Sequence, residues 1–221
     1  MTKSTTAPAA PQQAFIDKYA PTSVNDLVYP NLRAENIVKA IANGTKSGHL
    51  ILYGGTGTGK TSACRLIATS LVGGVQYYSD VLMIHASVEG KKSDVGSRVK
   101  SFAPTLSLNP TGKRVVIIDE CDCLADGAKE ALKGLITQWG QHVTFLFTTN
   151  KINDVDAATK SRCTVLQYDG FTETHWLSRA QHVLASEGKL VSLPKLRKML
   201  SPVAADGRKV LDVLENHVLF G

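Results

Sequence analysis

Short apolar runs alternate along this chain with longer stretches in which apolar residues recur three or four positions apart. Runs such as V-V-I-I and V-T-F-L-F contain almost no polar residue, which is typical of strands buried on both faces of a parallel sheet. The intervening stretches have the spacing of amphipathic helices. The alternation predicts an α/β fold with a doubly wound, parallel, five-stranded sheet.

The predicted strands are residues 49–53, 81–85, 114–119, 143–148 and, as a shorter fifth, 164–168. The predicted helices among them are about 32–41, 60–71, 94–103 and 127–139. Residues 15–28 carry turn formers and lead into the first helix.

The strand signal ends near Gly170, and three helical stretches follow at about 172–186, 193–200 and 207–219. This change predicts two domains, an α/β domain over 14–170 and a small all-helical lid domain over 171–221. Residues 1–13 are rich in Ser, Thr, Ala, Pro and Gln and are predicted to form a flexible tail without the apolar region of a signal peptide. No stretch reaches the ~20 apolar residues of a membrane helix, so we expect a protein with no membrane partner.

Composition adds two constraints. The formal net charge of +6 and the pI near 9.1 favour a polyanionic partner, although many basic proteins simply have solvated lysine faces. The four cysteines are Cys64, Cys121, Cys123 and Cys163, and none forms a C-x-x-C pair. That spacing argues against zinc and favours buried thiols in a reducing compartment.

A glycine-rich run between the first predicted strand and the next helix carries the clearest chemistry. It fits the P-loop pattern G-x-x-x-x-G-K-[ST] at every fixed position. Its residues are Gly54, Gly55, Thr56, Gly57, Thr58, Gly59, Lys60 and Thr61. Such a loop, continued by Ser62, turns backbone N–H groups toward phosphates. Lys60 is predicted to reach the β- and γ-phosphates and Thr61 to bind magnesium. A loop without phosphate is disfavoured, because the Lys-Thr pair has no structural need to follow Gly59.

A second motif ends the strand at 114–119, where four apolar residues deliver Asp119 and Glu120 to the carboxyl edge of the sheet. Ligands of open α/β sheets bind at this edge. Asp119 is predicted to lie near magnesium, commonly through a water, and Glu120 to polarise the attacking water. An acidic turn after a strand is the alternative, and the preceding P-loop makes it the less favoured one.

Over residues 15–219 the chain resembles the AAA+ ATPases, and within them the small subunits of sliding-clamp loaders of the replication factor C and tailed-phage type. The D-E-C-D run at 119–122 is similar to the family's D-E-A-D motif, and S-R-C at 161–163 reproduces a clamp-loader motif. The chain is also similar to the family's K-Y-R-P and D-L-V entry segment, at Lys18, Tyr19, Pro21, Asp26, Leu27 and Val28.

The resemblance implies ATP and Mg²⁺ as cofactors and assigns further roles. Tyr19 belongs to the segment that packs near the adenine. Asn150, which ends F-L-F-T-T-N, matches sensor 1, which orients the water or reads the γ-phosphate. Arg162 matches an arginine finger that acts in trans on a neighbouring subunit. Arg208, in A-D-G-R-K, matches sensor 2 of the lid, which contacts the γ-phosphate in cis.

The resemblance also places DNA contacts in the segment 85–103. The candidates are Lys91, Lys92, Ser93, Arg98 and Lys100, and the helix that begins at residues 127–129 is expected to face the same channel. Such contacts would be electrostatic and independent of sequence. A solvated basic loop is the alternative, and it would be favoured if the resemblance were set aside.

The sequence departs from the family pattern at several positions. Ala20 replaces the usual arginine and Tyr29 the usual glycine. His85 replaces an asparagine that, in the family, can hold the catalytic glutamate inactive until DNA binds. The hypothesis here is that His85 makes the same hydrogen bond to Glu120 and renders the switch pH-sensitive. The resemblance stops before the helical collar that family members carry after the lid.

The expected function is that of an ATP-hydrolysing clamp-loader subunit in DNA replication, with other loader subunits, a sliding clamp and primer-template DNA as partners. Two alternatives stay open at this point: an AAA+ helicase loader or related DNA remodeller, and an ATP-dependent DNA-binding scaffold that does not hydrolyse ATP. The expected location is cytoplasmic or nucleoid-associated, including a phage-infected bacterial cell.

Overall fold

The structure is a computed structural model that describes residues 13–89 and 95–221. Its centre is a five-stranded parallel sheet in the order β2-β3-β4-β1-β5. The strands are β1 (His49–Tyr53), β2 (Val81–His85), β3 (Arg114–Asp119), β4 (Val143–Thr149) and β5 (Cys163–Gln167). The predicted fold class is confirmed, and β4 and β5 differ from the predicted ranges by a single residue at their ends.

The described residues also form ten α-helices. They are α1 (Phe15–Lys18), α2 (Leu32–Ala42), α3 (Lys60–Leu71), α4 (Ala86–Glu89), α5 (Val95–Phe102), α6 (Asp126–Trp139), α7 (Ala157–Ser161), α8 (Glu173–Ser186), α9 (Leu193–Leu200) and α10 (Gly207–Phe220). Short 3-10 turns occur at Val24–Asp26, Val75–Asp80, Cys121–Cys123 and Ile152–Asp154.

The seven longer helices match the predicted ones to within a residue at each described end. The predicted start of α5, Asp94, lies outside the described residues, as does the predicted tail up to residue 12. Helices α1, α4 and α7 were not predicted, because four or five residues are too few to show a helical period. Within the described chain, no helix is long and apolar enough to span a bilayer.

Two apolar layers cover the sheet. Helices α2 and α3 pack on one face, where Val38, Ile67 and Leu146 are fully buried. Helices α5 and α6 pack on the other face, with Val99 and Leu132 in that layer. All six residues of β3 are buried, as expected for a strand covered on both sides.

A buried ion pair closes the amino edge of the sheet. Arg114, the first residue of β3, donates to Asp80 Oδ1 at 2.9 Å, and the two side chains are 9% and 5% exposed. Asn109 and Ser107 also donate to Asp80, while Arg114 donates to the carbonyls of Phe102 and Leu106. The pair therefore holds the loop between α5 and β3 in place.

The three C-terminal helices form a separate core that also takes in the start of the described chain. Phe15 and Tyr19 pack among Ala180, Leu196 and Leu214. Glu187, at the end of α8, accepts hydrogen bonds from Lys18 Nζ at 2.6 Å and from the Tyr19 hydroxyl. Helix α1 therefore packs in the lid core, although it precedes the α/β domain in the sequence.

Candidate functional site

The P-loop connects the carboxyl end of β1 to the first turn of α3, as the sequence predicts. Gly54 and Gly59 have φ angles of 151° and 90°, which residues with a β-carbon rarely adopt. A β-carbon on Gly54 would lie 2.9 Å from the carbonyl oxygen of Tyr168. Glycine at these positions lets the backbone curl tightly at the head of α3, where N–H groups are free to face an anion.

The Lys60 ammonium lies inside this curl. It donates to the carbonyls of Gly54 at 2.9 Å and Gly55 at 2.5 Å, and to Asn150 Oδ1 at 2.9 Å. Burial lowers the pKa of Lys60, although the carboxylates of Asp119 and Asp169 act in the opposite direction. A cation and an amide from distant parts of the sequence are therefore in direct contact beside the phosphate loop.

Three side chains form a hydrogen-bonded chain at the end of β3. The Thr61 hydroxyl donates to Asp119 Oδ1 at 2.7 Å, and the Thr148 hydroxyl donates to the same oxygen at 2.6 Å. Thr148 in turn accepts from the backbone N–H of Glu120 at 3.0 Å. Because β4 lies between β1 and β3 in the sheet, its residue Thr148 joins the two predicted motifs.

Glu120 has a backbone conformation that is unusual for its type. Its φ and ψ are 57° and 47°, and no other non-glycine residue in the described ranges has a positive φ. This left-handed conformation costs an L-residue about 1–2 kcal/mol, and such strain is concentrated at functional sites. Glu120 also lines a cavity over the phosphate loop.

A cavity of about 350 Å³ opens over the phosphate loop. Its walls come from three parts of the chain: the entry segment, the P-loop with Glu120 and Asn150, and the lid. The entry segment contributes Ile16, Tyr19, Ala20, Pro21, Asp26, Leu27 and Val28, and the lid contributes Trp176, Arg179, Gly207, Arg208 and Leu211. The walls combine apolar side chains with the cations Lys60, Arg179 and Arg208, which suits a nucleotide with its apolar base and its anionic phosphates.

The donor set also fits magnesium. Mg²⁺ in phosphate sites is held by one or two protein oxygens together with the phosphates, and Thr61 and Asp119 supply a hydroxyl and a carboxylate within 2.7 Å of each other. Residues Thr56 to Ser62 of the loop line the cavity beside them. The residues present therefore fit a nucleoside triphosphate with its metal.

Tyr19 lines the cavity, and its side chain packs in the lid core. Its ring stacks edge-on with Phe15 at 5.0 Å inside the lid core, and its carbonyl accepts from Arg179 Nη2 at 2.9 Å. The Tyr19 ring is not exposed in the cavity for stacking on a base. The predicted contact of Tyr19 with a bound base therefore depends on the part of this residue that lines the cavity wall.

The structure places Arg162 away from its own cavity. Arg162 directly follows α7 as its C-cap and donates to the carbonyl of Ala158 at 2.7 Å and to Thr137. It directly precedes β5, whose first residue pairs with His49 at the start of β1. The P-loop follows the other end of β1, so the two sites are separated by the strand length, about 13 Å at 3.3 Å per residue.

Of the predicted DNA contacts, Lys91, Lys92 and Ser93 lie outside the described residues. Arg98 and Lys100 lie on α5, where Lys100 is exposed and Arg98 donates to the carbonyl of Met83 at 3.4 Å. These assignments stay predictions.

His85 Nδ1 lies 3.4 Å from Asp119 Oδ2, the proposed metal carboxylate, and the hydrogen bond from His85 to Glu120 stays a hypothesis. The expectation that the cysteine thiols are buried needs correction. The cysteines are unpaired and only partly buried: Cys64 and Cys121 are buried, whereas Cys123 is exposed. Burial raises the pKa of the Cys163 thiol to about 12.

Sequence reasoning missed several residues that shape the site. Thr148 had a signal, since it belongs to the T-T-N run that ends at Asn150. Arg179 and Trp176 had none, because their place at the cavity depends on how the lid folds back over the P-loop.

A phosphate loop that follows β1, and an acidic pair at the end of β3, two places away in the same parallel sheet, define a P-loop nucleoside triphosphatase. The sequence pattern of a known family agrees. Residues 50–170 match the ATPase family associated with various cellular activities (AAA), and the chain belongs to that family.

Curated relatives narrow the similarity. The chain is 29% identical over 208 residues to human replication factor C subunit 5, which covers 94% of this chain and 61% of the relative. It is 31% identical to rice replication factor C subunit 3, covering 91% and 56% of the two chains. Replication factor C small subunit 2 of Pyrobaculum islandicum is 27% identical, with 91% and 62% covered. The chain thus spans about three fifths of the length of these relatives.

Among solved structures, a mutant of Thermotoga maritima RuvB superposes with a TM-score of 0.69 at 17% identity, covering 89% of this chain and 65% of that one. A second RuvB mutant from the same organism gives a TM-score of 0.70 at 15% identity, with 90% and 64% covered. At this identity the likeness concerns the fold alone.

Proposed function

We propose that this chain is an ATP-hydrolysing subunit of a sliding-clamp loader that acts in DNA replication. The observation that carries the proposal is the convergence of Lys60, Thr61, Asp119, Glu120 and Asn150 at one edge of the sheet, in a chain that aligns over 94% of its length with a replication factor C subunit. A scaffold that only binds ATP would have no need of the strained Glu120 backbone.

In the proposed reaction, the P-loop N–H groups and Lys60 hold the β- and γ-phosphates. Magnesium, held by Thr61 and Asp119, supplies charge neutralisation at the phosphates when bound. Glu120 takes a proton from the attacking water, and Asn150 orients that water or senses the γ-phosphate. Arg208, from the lid, reaches the γ-phosphate in cis. Each role uses a residue that lines the cavity or is bonded to one that does.

A complete site needs a cation from a second subunit. Arg162 stands at the amino edge of the sheet, a strand length from its own P-loop, and its exposed position suits contact with a neighbour. We therefore propose that Arg162 serves the nucleotide of an adjoining subunit as an arginine finger, a role worth about 10³–10⁵ in rate.

DNA and clamp are the proposed macromolecular partners, together with other loader subunits. Arg98 and Lys100 on α5, with Lys91, Lys92 and Ser93 before it, would contact the phosphate backbone of primer-template DNA. The net charge of +6 supports a polyanionic partner. The proposed location is wherever replicating DNA lies, in the cytoplasm or at a nucleoid.

The test is the steady-state ATPase rate measured alone, with primer-template DNA, and with primer-template DNA plus a candidate clamp. We expect clamp and primed DNA together to raise the rate of the wild-type chain and to leave Lys60→Ala at background. Stimulation by single strands or by a helicase instead would favour a helicase loader. ATP binding without turnover under every condition would favour the scaffold and overturn the proposal.

A further inference from the structure

The lid touches the phosphate loop directly at one joint. The backbone N–H of Gly207 donates to the carbonyl of Gly57 at 2.9 Å. Next to it, the Asp206 carboxylate lies against Gly57 so closely that a β-carbon on Gly57 would stand 2.1 Å from Asp206 Oδ1. Gly57 also has a φ of 75°, which favours glycine, so its backbone conformation and the contact with Asp206 both disfavour a larger residue.

The other side of the joint is equally tight. A β-carbon on Gly207 would stand 2.7 Å from Cη2 of Trp176. The Trp176 indole N–H donates to the carbonyl of Ala204 at 2.8 Å, and its ring packs against both the sheet core and the lid core. Two glycines therefore allow the P-loop, the head of α10 and Trp176 to stack without a gap.

Asp206 has a second contact that connects this joint to the proposed chemistry. Its Oδ1 accepts from the backbone N–H of Arg208 at 2.9 Å and caps α10. Arg208 lines the nucleotide cavity. Burial lowers the pKa of Lys60 most, and three carboxylates raise it. The positive charge of Arg208 has a smaller effect and also lowers this pKa, so the two cations face the same space.

We propose that Asp206 is a positioning residue, which seats the head of α10 on Gly57 and thereby holds Arg208 at the place of the γ-phosphate. The inference rests on the proposed ATPase function. Asp206 acts through its shape and its hydrogen bond, because a negative charge beside triphosphate oxygens opposes binding.

The direct test compares Asp206→Ala with Asp206→Asn, which keeps the shape and the acceptor but removes the charge. For Asp206→Ala we expect about tenfold weaker ATP binding, equal to one lost interaction of about 1.4 kcal/mol, and a similar fall in kcat. ADP binding should change less than about twofold, since ADP lacks the group that Arg208 contacts. Asp206→Asn should stay within about threefold of wild type in all three quantities.

Asn31→Ala is the matched control. Asn31 caps α2 in the same way, with Oδ1 accepting from Ala34 N–H at 2.9 Å, and it does not line the cavity. Losing this cap should lower stability and leave the ratio of ATP to ADP affinity unchanged.

A steric cycle checks the joint independently. Gly57→Ala inserts a methyl group where the Asp206 carboxylate lies, so it should weaken ATP binding at least about threefold less in the Asp206→Ala background than in wild type. Additive losses would show that the two residues are not in contact in solution.

Hydrogen exchange separates failure of this inference from failure of the proposed function. If the wild-type chain binds no nucleotide, the ATPase proposal fails, but exchange at the Gly207 amide should still quicken about tenfold in Asp206→Ala and not in Asn31→Ala. If Asp206→Ala behaves like Asn31→Ala in affinity, kcat and exchange at Gly207, then Asp206 is only a helix cap and the inference is overturned.

Discussion

At the scale of single residues, two residues of the proposed site are held in locally unfavourable states. Glu120 keeps a left-handed backbone, and Lys60 keeps a buried charge that its surroundings partly oppose. The motifs identified both residues from the sequence. Thr148, which accepts from the Glu120 N–H, was not assigned a role, because its link between Asp119 and Glu120 depends on the order of strands in the sheet.

Glu120→Gly should separate stability from activity. Glycine relieves the left-handed strain but adds chain entropy to the unfolded state, so we expect a gain of about 0.5–1 kcal/mol in the free energy of unfolding. Loss of the proposed general base should slow ATP hydrolysis about 10²–10⁴-fold. Denaturant unfolding and single-turnover hydrolysis measure the two effects.

Glu120→Ala is the control for this change, because alanine loses the carboxylate yet keeps a β-carbon in the left-handed region. It should hydrolyse ATP as slowly as Glu120→Gly and be less stable by about 1 kcal/mol. Equal stability of the two variants would contradict the assignment of strain to Glu120.

At the scale of elements, apolar runs determine the strands so strongly that three of the five were predicted to the residue, at 49–53, 81–85 and 114–119. Helix α1 was missed because it is four residues long and is stabilised by the lid core rather than by its own period. The same tertiary contact explains why the side chain of Tyr19 turns into the lid. Sequence patterns report burial along one element and carry little information about which distant element supplies it.

The loop between α5 and β3 offers a prediction at this scale. Asp80→Ala should lower the free energy of unfolding by about 3–5 kcal/mol, because it leaves the buried guanidinium of Arg114 without its counter-ion. Urea unfolding at neutral pH measures the loss.

A surface ion pair provides the comparison. Lys39 Nζ lies 2.7 Å from Glu35 Oε1 on α2, with side chains 37% and 36% exposed. Glu35→Ala should therefore cost no more than about 0.5 kcal/mol. Similar losses in Asp80→Ala and Glu35→Ala would mean that the buried pair does not hold the loop.

At the scale of the whole molecule, the nucleotide cavity is enclosed by segments from both ends of the described chain. The entry segment and the lid share one core, and the lid reaches the P-loop through Gly207. This arrangement could not be derived from the sequence, since Gly57 and Gly207 are 150 positions apart and neither carries a motif signal for their contact. At a still larger scale, we propose that Arg162 of another subunit completes the nucleotide site.

Mixing two inactive variants tests that claim most directly. Lys60→Ala lacks a working P-loop and keeps its finger, whereas Arg162→Ala keeps its P-loop and lacks the finger. With primed DNA present, a mixture of the two should form some sites with both residues, and the measured ATPase rate should rise well above the sum of the separate rates and increase with protein concentration. A mixture no more active than that sum, or an Arg162→Ala chain as active as wild type, would contradict a site shared between subunits.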